Sequence, residues 1–324
     1  MRLYEYEAKR LFEAVGLSVP TRYGVIASPG ELEGLELSYP AMVKAMVLTG
    51  GRGKSGGVKK VADAAAARAA AAAILGLDIK GYPVETLLLE AAASEAGACY
   101  LGITTDPARY DVVVMASAKG GVDIEQVALE EPDAILRRSV PGNDRELPPA
   151  IALEMAAFLA EGLGKKGLAP KLADALSKLY ACYQKFDCKV AEINPLLVTA
   201  ADEVIAADAK MVIDDNALYR QGELFELLGI REARHDVAEL TPDEQRARTG
   251  GFAYVDLLAP NAKSDPDKLY VGLVPGGAGY GIFSIDEVAN VGDRFFAGKV
   301  VPVNFMDSGG GPTLDSVAEM FHIL

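Results

Sequence analysis

Residues 191–210 read AEINPLLVTAADEVIAADAK, two apolar strands joined by a polar turn. A turn centred on Ala201 pairs the strands antiparallel and places Asn194 opposite Asp208. Side chains alternate between the two faces of a strand, so Glu192 shares a face with Asn194. These oxygen ligands suit Mg²⁺ that carries nucleotide phosphates, and we predict Asn194 and Asp208 as metal ligands. The alternative is a solvated polar face, which an Asn-Pro pair, poor in strand propensity, makes a weaker explanation.

A glycine-rich segment, LTGGRGKSGG at residues 48–57, lies further upstream and has five glycines in ten residues. It is not a Walker A phosphate loop, because Leu48 stands where that motif needs glycine and no clear helix follows. Glycine amides together with Arg52 and Lys54 nevertheless suit a polyphosphate, so we expect a phosphate-covering loop rather than an inert one. Lys44 lies inside an apolar strand and needs a partner, which is either a phosphate or a structural carboxylate.

Helical periodicity and short apolar runs outline the elements around these two segments. Helices are predicted at 3–15, 62–75, 148–163 and 169–186. Strands are predicted at 24–27, 41–47, 85–90, 99–104, 110–116, 190–198 and 203–208. This order, with strands and helices mixed, predicts an α/β protein.

The pattern changes after residues 229–248, which are charged and poor in large apolar side chains, so we place a domain boundary there. Strands are predicted next at 270–274 and 300–305, each followed by a glycine-rich turn and a helix, the helices lying at 282–291 and from Thr313 onward. This order predicts a parallel open sheet. Two strands are few for a closed core, so we expect a truncated chain or one completed from outside.

The two glycine-rich turns of this part differ in what they can bind. GGAGYG at 276–281 does not match the GxGxxG dinucleotide fingerprint, which disfavours a dehydrogenase. SGGGPT at 308–313 would expose the backbone N–H groups of Gly309, Gly310 and Gly311 next to a helix that has Pro312 at its first position. Such a helix start is a ready anion site.

Composition restricts the class of protein. A formal net charge of −14 disfavours nucleic acid or an anionic membrane as the main partner. Three cysteines without a CxxC pair disfavour a disulfide framework. We see neither a signal peptide nor a membrane-spanning run, so we expect a cytoplasmic protein. Only His235 and His322 are present, and neither has a nucleophile or ligand partner by spacing.

Seven motifs in order carry a family resemblance. They are LYEYEAKRLFEAVGLSVP (3–20), VKAMVLTGGRGKSGGVK (43–59), LLLEAAASEAGACYLGITTD (87–106), VVMASAKGGVDIEQVA (113–128), VAEINPLLVT (190–199), ADAKMVIDDNALYRQ (207–221) and FMDSGGGPT (305–313). Together they resemble the β subunit of the ADP-forming acyl-CoA ligases, among them succinyl-CoA synthetase. The resemblance implies an α+β ATP-grasp nucleotide-binding domain at 1–235, followed by part of a flavodoxin-like parallel α/β CoA-ligase domain at 245–324.

The same resemblance implies a role for each candidate residue. Lys44, Arg52, Gly51 and Gly53 would hold the phosphates of ATP or GTP. Glu90 and the backbone near Ala93 would meet the adenine. Asn194 and Asp208 would hold Mg²⁺, Glu192 would face the phosphorylated histidine, and the turn at Gly309–Thr313 would stabilise that phosphohistidine.

The family passes a phosphoryl group from ATP to a histidine and then to a carboxylic acid, which is released as a CoA thioester. That histidine and most of the CoA site lie on a partner α subunit, in a heterodimer or α2β2 assembly. The chain departs from the family pattern in three places. Ala98 replaces a glutamate thought to hold the ribose, so either Glu95 substitutes for it or the nucleotide binds differently. The second half of the ligase domain is missing, and the turn at 275–280 differs from the usual one near the acyl substrate, which leaves the acid open. Citryl-CoA synthetase, ATP-citrate lyase or malate–CoA ligase are therefore alternatives, as is a non-catalytic nucleotide-sensing or assembly subunit.

Overall fold

The computed structural model describes residues 1–106, 109–142, 144–231, 242–258, 265–274, 276–309 and 311–324. The chain divides into two compact units, Met1–His235 and Asp236–Leu324. None of the helices in these ranges is long and apolar enough to cross a membrane. His235 and Gly310, both singled out in the sequence, lie outside the described residues.

The first unit alternates helices and strands. Its helices are α1 (Glu5–Ala14), α2 (Ala64–Ile74), α3 (Ile124–Glu130), α4 (Pro149–Gly162), α5 (Ala169–Lys185) and α6 (Gly222–Leu228). Its strands are β1 (Arg22–Ile26), β2 (Ala41–Ala45), β3 (Val58–Val61), β4 (Asp78–Ile79), β5 (Tyr82–Pro83), β6 (Leu87–Ala91), β7 (Gly97–Asp106), β8 (Asp111–Ser117), β9 (Leu136–Pro141), β10 (Cys188–Val198), β11 (Val204–Ala206) and β12 (Lys210–Ile213). The helices and strands predicted for this part are confirmed, apart from shifted ends and the short elements added here.

A four-stranded antiparallel sheet in the order β1-β6-β2-β3 carries Lys44 and Glu90. Helix α2 covers it, since its alanine-rich sequence favours a helix and the side chain of Asp63 caps it by accepting the Ala66 N–H. The buried residues Ala67, Ala71 and Ile74 of α2 share a core with the strands. This packing holds β2 and β6 side by side, which brings Lys44 near Glu90.

The larger sheet runs β11-β10-β7-β8-β9, with β12 also paired to β10. Helices α1, α4 and α5 contribute its main core, and residues at helical spacing along α5, such as Leu172, Leu176 and Leu179, are fully buried. The predicted hairpin register is confirmed: Leu196 pairs with Ala206 in β11. The strand β12 was missed by the sequence analysis, and its pair Glu192–Lys210 continues the same register.

The second unit contains helices α7 (Pro242–Thr249), α8 (Ala278–Phe296) and α9 (Leu314–Ile323). Its strands are β13 (Ala253–Asp256), β14 (Leu269–Val271), β15 (Val300–Pro302) and β16 (Asn304–Asp307). β14 and β15 are parallel, as predicted, whereas β13 and β16 are antiparallel, which the sequence analysis did not predict. The segment predicted as one strand is divided at Val303, whose N–H donates to the Val271 carbonyl and whose carbonyl accepts from Leu257 N–H.

Two further expectations for this unit were wrong in detail. The helix predicted at 282–291 begins at Ala278, so most of the GGAGYG turn lies within it. The last helix takes Thr313 as its N-cap, with the Thr313 side chain accepting the Ser316 N–H, so Pro312 precedes the helix and is not at its first position. In addition, the segment 229–248, where the domain boundary is predicted, includes most of the helix α7.

Candidate functional site

Lys44 lies on β2, and its ammonium group is buried, with the residue only 6% exposed. Its Nζ donates to Glu5 Oε1 at 2.7 Å and to the carbonyl of Ala207 at 2.7 Å. Glu90 Oε1 lies 2.8 Å from the same nitrogen. Two hydrogen bonds and one ion pair thus surround the ammonium with protein oxygens. Of the two partners that the sequence left open, the structure shows the carboxylate.

Helix α1 brings a second buried lysine to the same place. Lys9 Nζ donates to Glu5 Oε1 at 2.6 Å, to Glu90 Oε2 at 2.7 Å and to the Ala207 carbonyl at 2.8 Å. Neither Glu5 nor Lys9 was predicted as a site residue from the sequence. Their spacing relative to Phe12 carried a signal, because positions 5, 9 and 12 lie on one helical face and Phe12 belongs to the core.

Arg52 joins the glycine-rich loop to this cluster. Its Nη2 donates to Asp208 Oδ1 and Oδ2 at 2.8 and 2.9 Å, and its Nη1 donates to the Ala45 carbonyl at 3.1 Å. The same Nη2 lies 2.7 Å from Glu5 Oε2, in ion-pair contact. The loop predicted to cover phosphates therefore reaches the hairpin residue predicted to bind metal.

We call the six charged side chains at this place the charge cluster; they are Glu5, Lys9, Lys44, Arg52, Glu90 and Asp208. Burial raises the pKa of Glu5, but attraction by Lys44, Lys9 and Arg52 outweighs it and holds that pKa well below its usual range. Burial likewise lowers the pKa of Lys44, but Glu5, Glu90 and Asp208 raise it by more. Mutual attraction thus keeps Glu5 and Lys44 ionised, in a cluster that has three acidic and three basic side chains.

Asn194 and Asp208 occupy opposite positions in the register of the hairpin, since the pairs on either side of them share that register. Its Oδ1 accepts the Gly121 N–H at 2.7 Å, and its Nδ2 donates to the Val122 carbonyl at 2.9 Å. These bonds fix a loop that begins at Gly120, where a Cβ would lie 2.3 Å from the Cys99 carbonyl oxygen. The side chain of Asn194 is thereby oriented before any ligand binds.

The other predicted binding positions lie as follows. Gly51 and Gly53 flank Arg52 within the loop, and Gly51 has a φ of +82° that favours glycine. Ala93 is half-buried in the segment that follows β6. In the second unit, the Gly309 N–H donates to Asp307 Oδ1 at 2.8 Å, while Gly311 precedes the helix cap. These placements neither confirm nor exclude ligand binding.

Glu192 lies on β10 with its side chain 19% exposed and its Oε2 3.9 Å from Lys210 Nζ. Burial raises the pKa of Glu192, which Lys210 opposes and the nearby carboxylates of Glu125 and Asp208 reinforce. A half-buried carboxylate whose ionised form is destabilised by burial and by neighbouring carboxylates is typical of a functional position.

We expect the substitution Glu192→Gln to raise the melting temperature at pH 7. A raised pKa means that the ionised form of Glu192 destabilises the folded protein. This loss of stability is complete above the pKa that Glu192 has in the folded state. It disappears as the pH falls below about 4.3, the usual glutamate value. Thermal melts of E192Q and the parent should therefore differ at pH 7 and converge near pH 4. The exposed hairpin residue Glu203, changed to Gln, should show no such pH-dependent difference; a destabilised E192Q at pH 7 would contradict the prediction.

The ATP-grasp domain family matches residues 2–198 of the chain. A GDP-forming succinate–CoA ligase β subunit from Thermus thermophilus is 39% identical over 320 residues, or 98% of this chain and 76% of that protein. An ADP-forming β subunit from Haloarcula marismortui is 37% identical over 322 residues, with the same two coverages of 98% and 76%. The chain belongs to the succinate–CoA ligase β-subunit family. The resemblance noted from the sequence motifs is thus confirmed.

Solved structures similar to this β-subunit family member agree on the fold. The ATP citrate lyase of Methanothrix soehngenii aligns with 99% of this chain and 75% of its own, at a TM-score of 0.56 and 18% identity. The dinucleotide-forming acetyl-coenzyme A synthetase 1 of Ca. Korarchaeum cryptofilum aligns with 65% and 93%, at a TM-score of 0.54 and 19% identity. At such identities the likeness shows the fold alone, and it confirms the ATP-grasp fold.

The residues of this β-subunit family member fit a magnesium ion that also binds phosphate oxygens. Asn194 Oδ1 accepts one hydrogen bond and keeps a lone pair, while Asp208 keeps its side chain 34% exposed. Mg²⁺ is usually bound by one or two protein carboxylates together with substrate phosphates and water. Among the described residues, no group of three or more acidic, histidine or cysteine side chains could hold a metal alone.

Proposed function

We propose that this chain is the nucleotide-binding β subunit of an acid–CoA ligase that converts a nucleoside triphosphate to the diphosphate. The observation that carries the proposal is the convergence of the loop residue Arg52 and the strand residue Lys44 on the hairpin, where Arg52 pairs with Asp208 and Lys44 donates to the neighbouring Ala207 carbonyl. Two cations and a carboxylate from three separate segments meet where the family resemblance places a magnesium–triphosphate.

In this proposal, Lys44 and Arg52 bind phosphate oxygens and neutralise their charge, which is the main way proteins assist phosphoryl transfer. Gly51 and Gly53 bring backbone N–H groups close to the phosphates. Asn194 and Asp208 would hold Mg²⁺, which shields phosphate charge when bound. Glu90 and the backbone near Ala93 would contact the base, and Glu192 would contact the histidine that receives the phosphoryl group.

That histidine is proposed to come from a partner α subunit, which would also hold most of the CoA site. Of the two histidines of this chain, His322 is exposed on α9 and His235 lies outside the described residues. The chain's own residues thus bind nucleotide and orient it, and turnover needs the partner. A cytoplasmic location remains part of this proposal.

Succinate is the proposed acid, because relatives at 39% and 37% identity carry the name succinate–CoA ligase. The ATP citrate lyase structure, at 18% identity, supports the citrate alternative less well. Those two relatives are named for different nucleotides, GDP and ADP, so both ATP and GTP belong in the test.

We expect the chain to bind ATP or GTP in the presence of Mg²⁺ and to lose at least about tenfold in affinity when EDTA removes the metal. Calorimetric titration with each nucleotide, with and without EDTA, measures this. AMP is the matched control, since it lacks the phosphates that the metal would join, and its weak binding should not respond to EDTA. A chain that binds neither triphosphate would contradict the proposal.

Turnover tests the reaction itself. With its cognate α subunit the chain should release nucleoside diphosphate only when CoA and an acid are both present, fastest with succinate among succinate, malate and citrate. Release with citrate alone would move the assignment to the citrate alternative. No release with any acid, in spite of nucleotide binding, would favour a sensing or assembly subunit.

A further inference from the structure

Glu5 contacts every cation of the charge cluster. Its Oε1 lies 2.6 Å from Lys9 Nζ and 2.7 Å from Lys44 Nζ. Its Oε2 lies 2.7 Å from Arg52 Nη2. Within the part of the chain that the structure describes, Glu90 contacts Lys9 and Lys44, whereas Asp208 contacts Arg52. A single carboxylate on α1 therefore links β2 to the glycine-rich loop.

The two cations that Glu5 bridges outside its own helix are the proposed phosphate ligands. Three protein oxygens lie around the ammonium of Lys44, two as hydrogen-bond acceptors and the Glu90 carboxylate in ion-pair contact. Because Lys44 is 6% exposed and these oxygens already surround its ammonium, a phosphate oxygen that binds Lys44 has to take the place of one of them. Nucleotide binding at this site is therefore an exchange of anions.

Of the two carboxylate oxygens of Glu5, Oε2, which faces Arg52, is the less firmly bound. Glu5 is 3% exposed, yet no N–H or O–H within the described ranges donates a hydrogen bond to its Oε2. The Nη2 hydrogens of Arg52 are aimed at Asp208 instead. A buried acceptor without a donor is costly, so this contact is the one that gives way at least expense.

We propose that Glu5 is a positioning residue, an internal counter-anion that holds Lys44 and Arg52 in place in the absence of nucleotide and competes with the triphosphate for them. The role rests on the proposed function. It differs from that of a phosphate ligand, because the carboxylate opposes binding of the anion while it keeps the binding cations assembled.

The substitution Glu5→Gln tests this role, since it keeps the side-chain size and removes the charge. The cluster then carries one excess positive charge, so Mg·ATP should bind roughly tenfold more tightly than to the parent. Magnesium tripolyphosphate should gain by a similar factor, and adenosine should not. Calorimetric titration of the full chain with these three probes gives the affinities. A merely structural role would weaken binding instead.

Glu7→Gln is the matched control, because Glu7 lies on the same helix, is 1% exposed, and accepts the Tyr4 N–H outside the charge cluster. E7Q should leave the affinity for both phosphate probes at the parent value. Should melting curves show E5Q unfolded, the double substitution E5Q/K9M keeps the buried charges balanced and should still bind more tightly.

Unchanged or weaker binding by E5Q, or by the double variant in its place, overturns the role of Glu5 while the parent still binds nucleotide. A parent chain that binds neither Mg·ATP nor tripolyphosphate overturns the proposed function and this role together. Whether the parent chain binds Mg·ATP and tripolyphosphate therefore distinguishes the two failures.

Discussion

Replacing Lys9 by methionine is expected to lower the free energy of unfolding by about 3–5 kcal/mol. Lys9 is 2% exposed and its ammonium contacts both Glu5 and Glu90, neither of which water can reach. Methionine fills a similar volume but leaves the three carboxylates of the charge cluster with only two cations, Lys44 and Arg52. An uncompensated buried charge is among the most damaging changes that a single substitution makes.

Urea unfolding of the parent and K9M at pH 7 measures this loss. Lys178→Met is the control, because Lys178 also pairs with an acid four residues away, Asp174, but at the surface with side chains 35% and 60% exposed. Exposed pairs of that kind contribute less than about 1 kcal/mol. If K9M lost no more stability than K178M, the charge cluster would not be a buried, closed network.

The site could be predicted from sequence wherever local pattern determines geometry. Strand alternation and a turn centred on Ala201 were enough to place Asn194 opposite Asp208, because hairpin register depends only on nearby residues. The glycine content of residues 48–57 likewise predicted a loop. Each of these two segments is a short, continuous stretch of chain, so its local structure could be predicted without knowledge of any long-range contact.

The charge cluster could not be predicted in the same way. It joins α1, β2, β6, the glycine-rich loop and the hairpin, which are far apart along the chain. Glu5 and Lys9 at a spacing of four are normally a surface pair, because lysine and glutamate are rarely buried. Only the fold shows that Glu5 and Lys9 face inward. The carboxylate partners of Lys44, which the sequence left undecided, are therefore known only from the structure.

The second unit was predicted less well because its elements depend on contacts rather than on local pattern. Val303 donates its N–H to the Val271 carbonyl, and its own carbonyl accepts from Leu257 N–H. At Val303 the chain therefore changes from parallel pairing with β14 to antiparallel pairing with β13. Gly292 of α8 allows a similarly close contact, since a Cβ there would lie 2.4 Å from the Val300 carbonyl oxygen. Neither contact can be predicted from the hydropathy pattern of the sequence.

Asp208→Asn is expected to reduce turnover with the α subunit by about 10²–10³-fold, the usual cost of removing one electrostatic group from a site of this kind. The amide keeps the size of the side chain and one acceptor, but it removes the charge proposed to hold Mg²⁺ and the ion pair to Arg52. Coupled measurement of nucleoside diphosphate release at saturating acid and CoA gives kcat and KM for the nucleotide.

Folding should suffer much less than turnover in this variant, because the Asp208 side chain is 34% exposed and Arg52 keeps its contacts with Glu5 and the Ala45 carbonyl. Asp202→Asn, in the turn of the same hairpin, is the control: its partner Lys165 lies at the surface, and asparagine tolerates the positive φ of 58° there. Both variants should melt near the parent temperature, with D208N alone inactive. A D208N enzyme that retained parental kcat would show that this carboxylate does not act on the nucleotide, and the charge cluster would then have to be regarded as a structural core rather than part of a binding site.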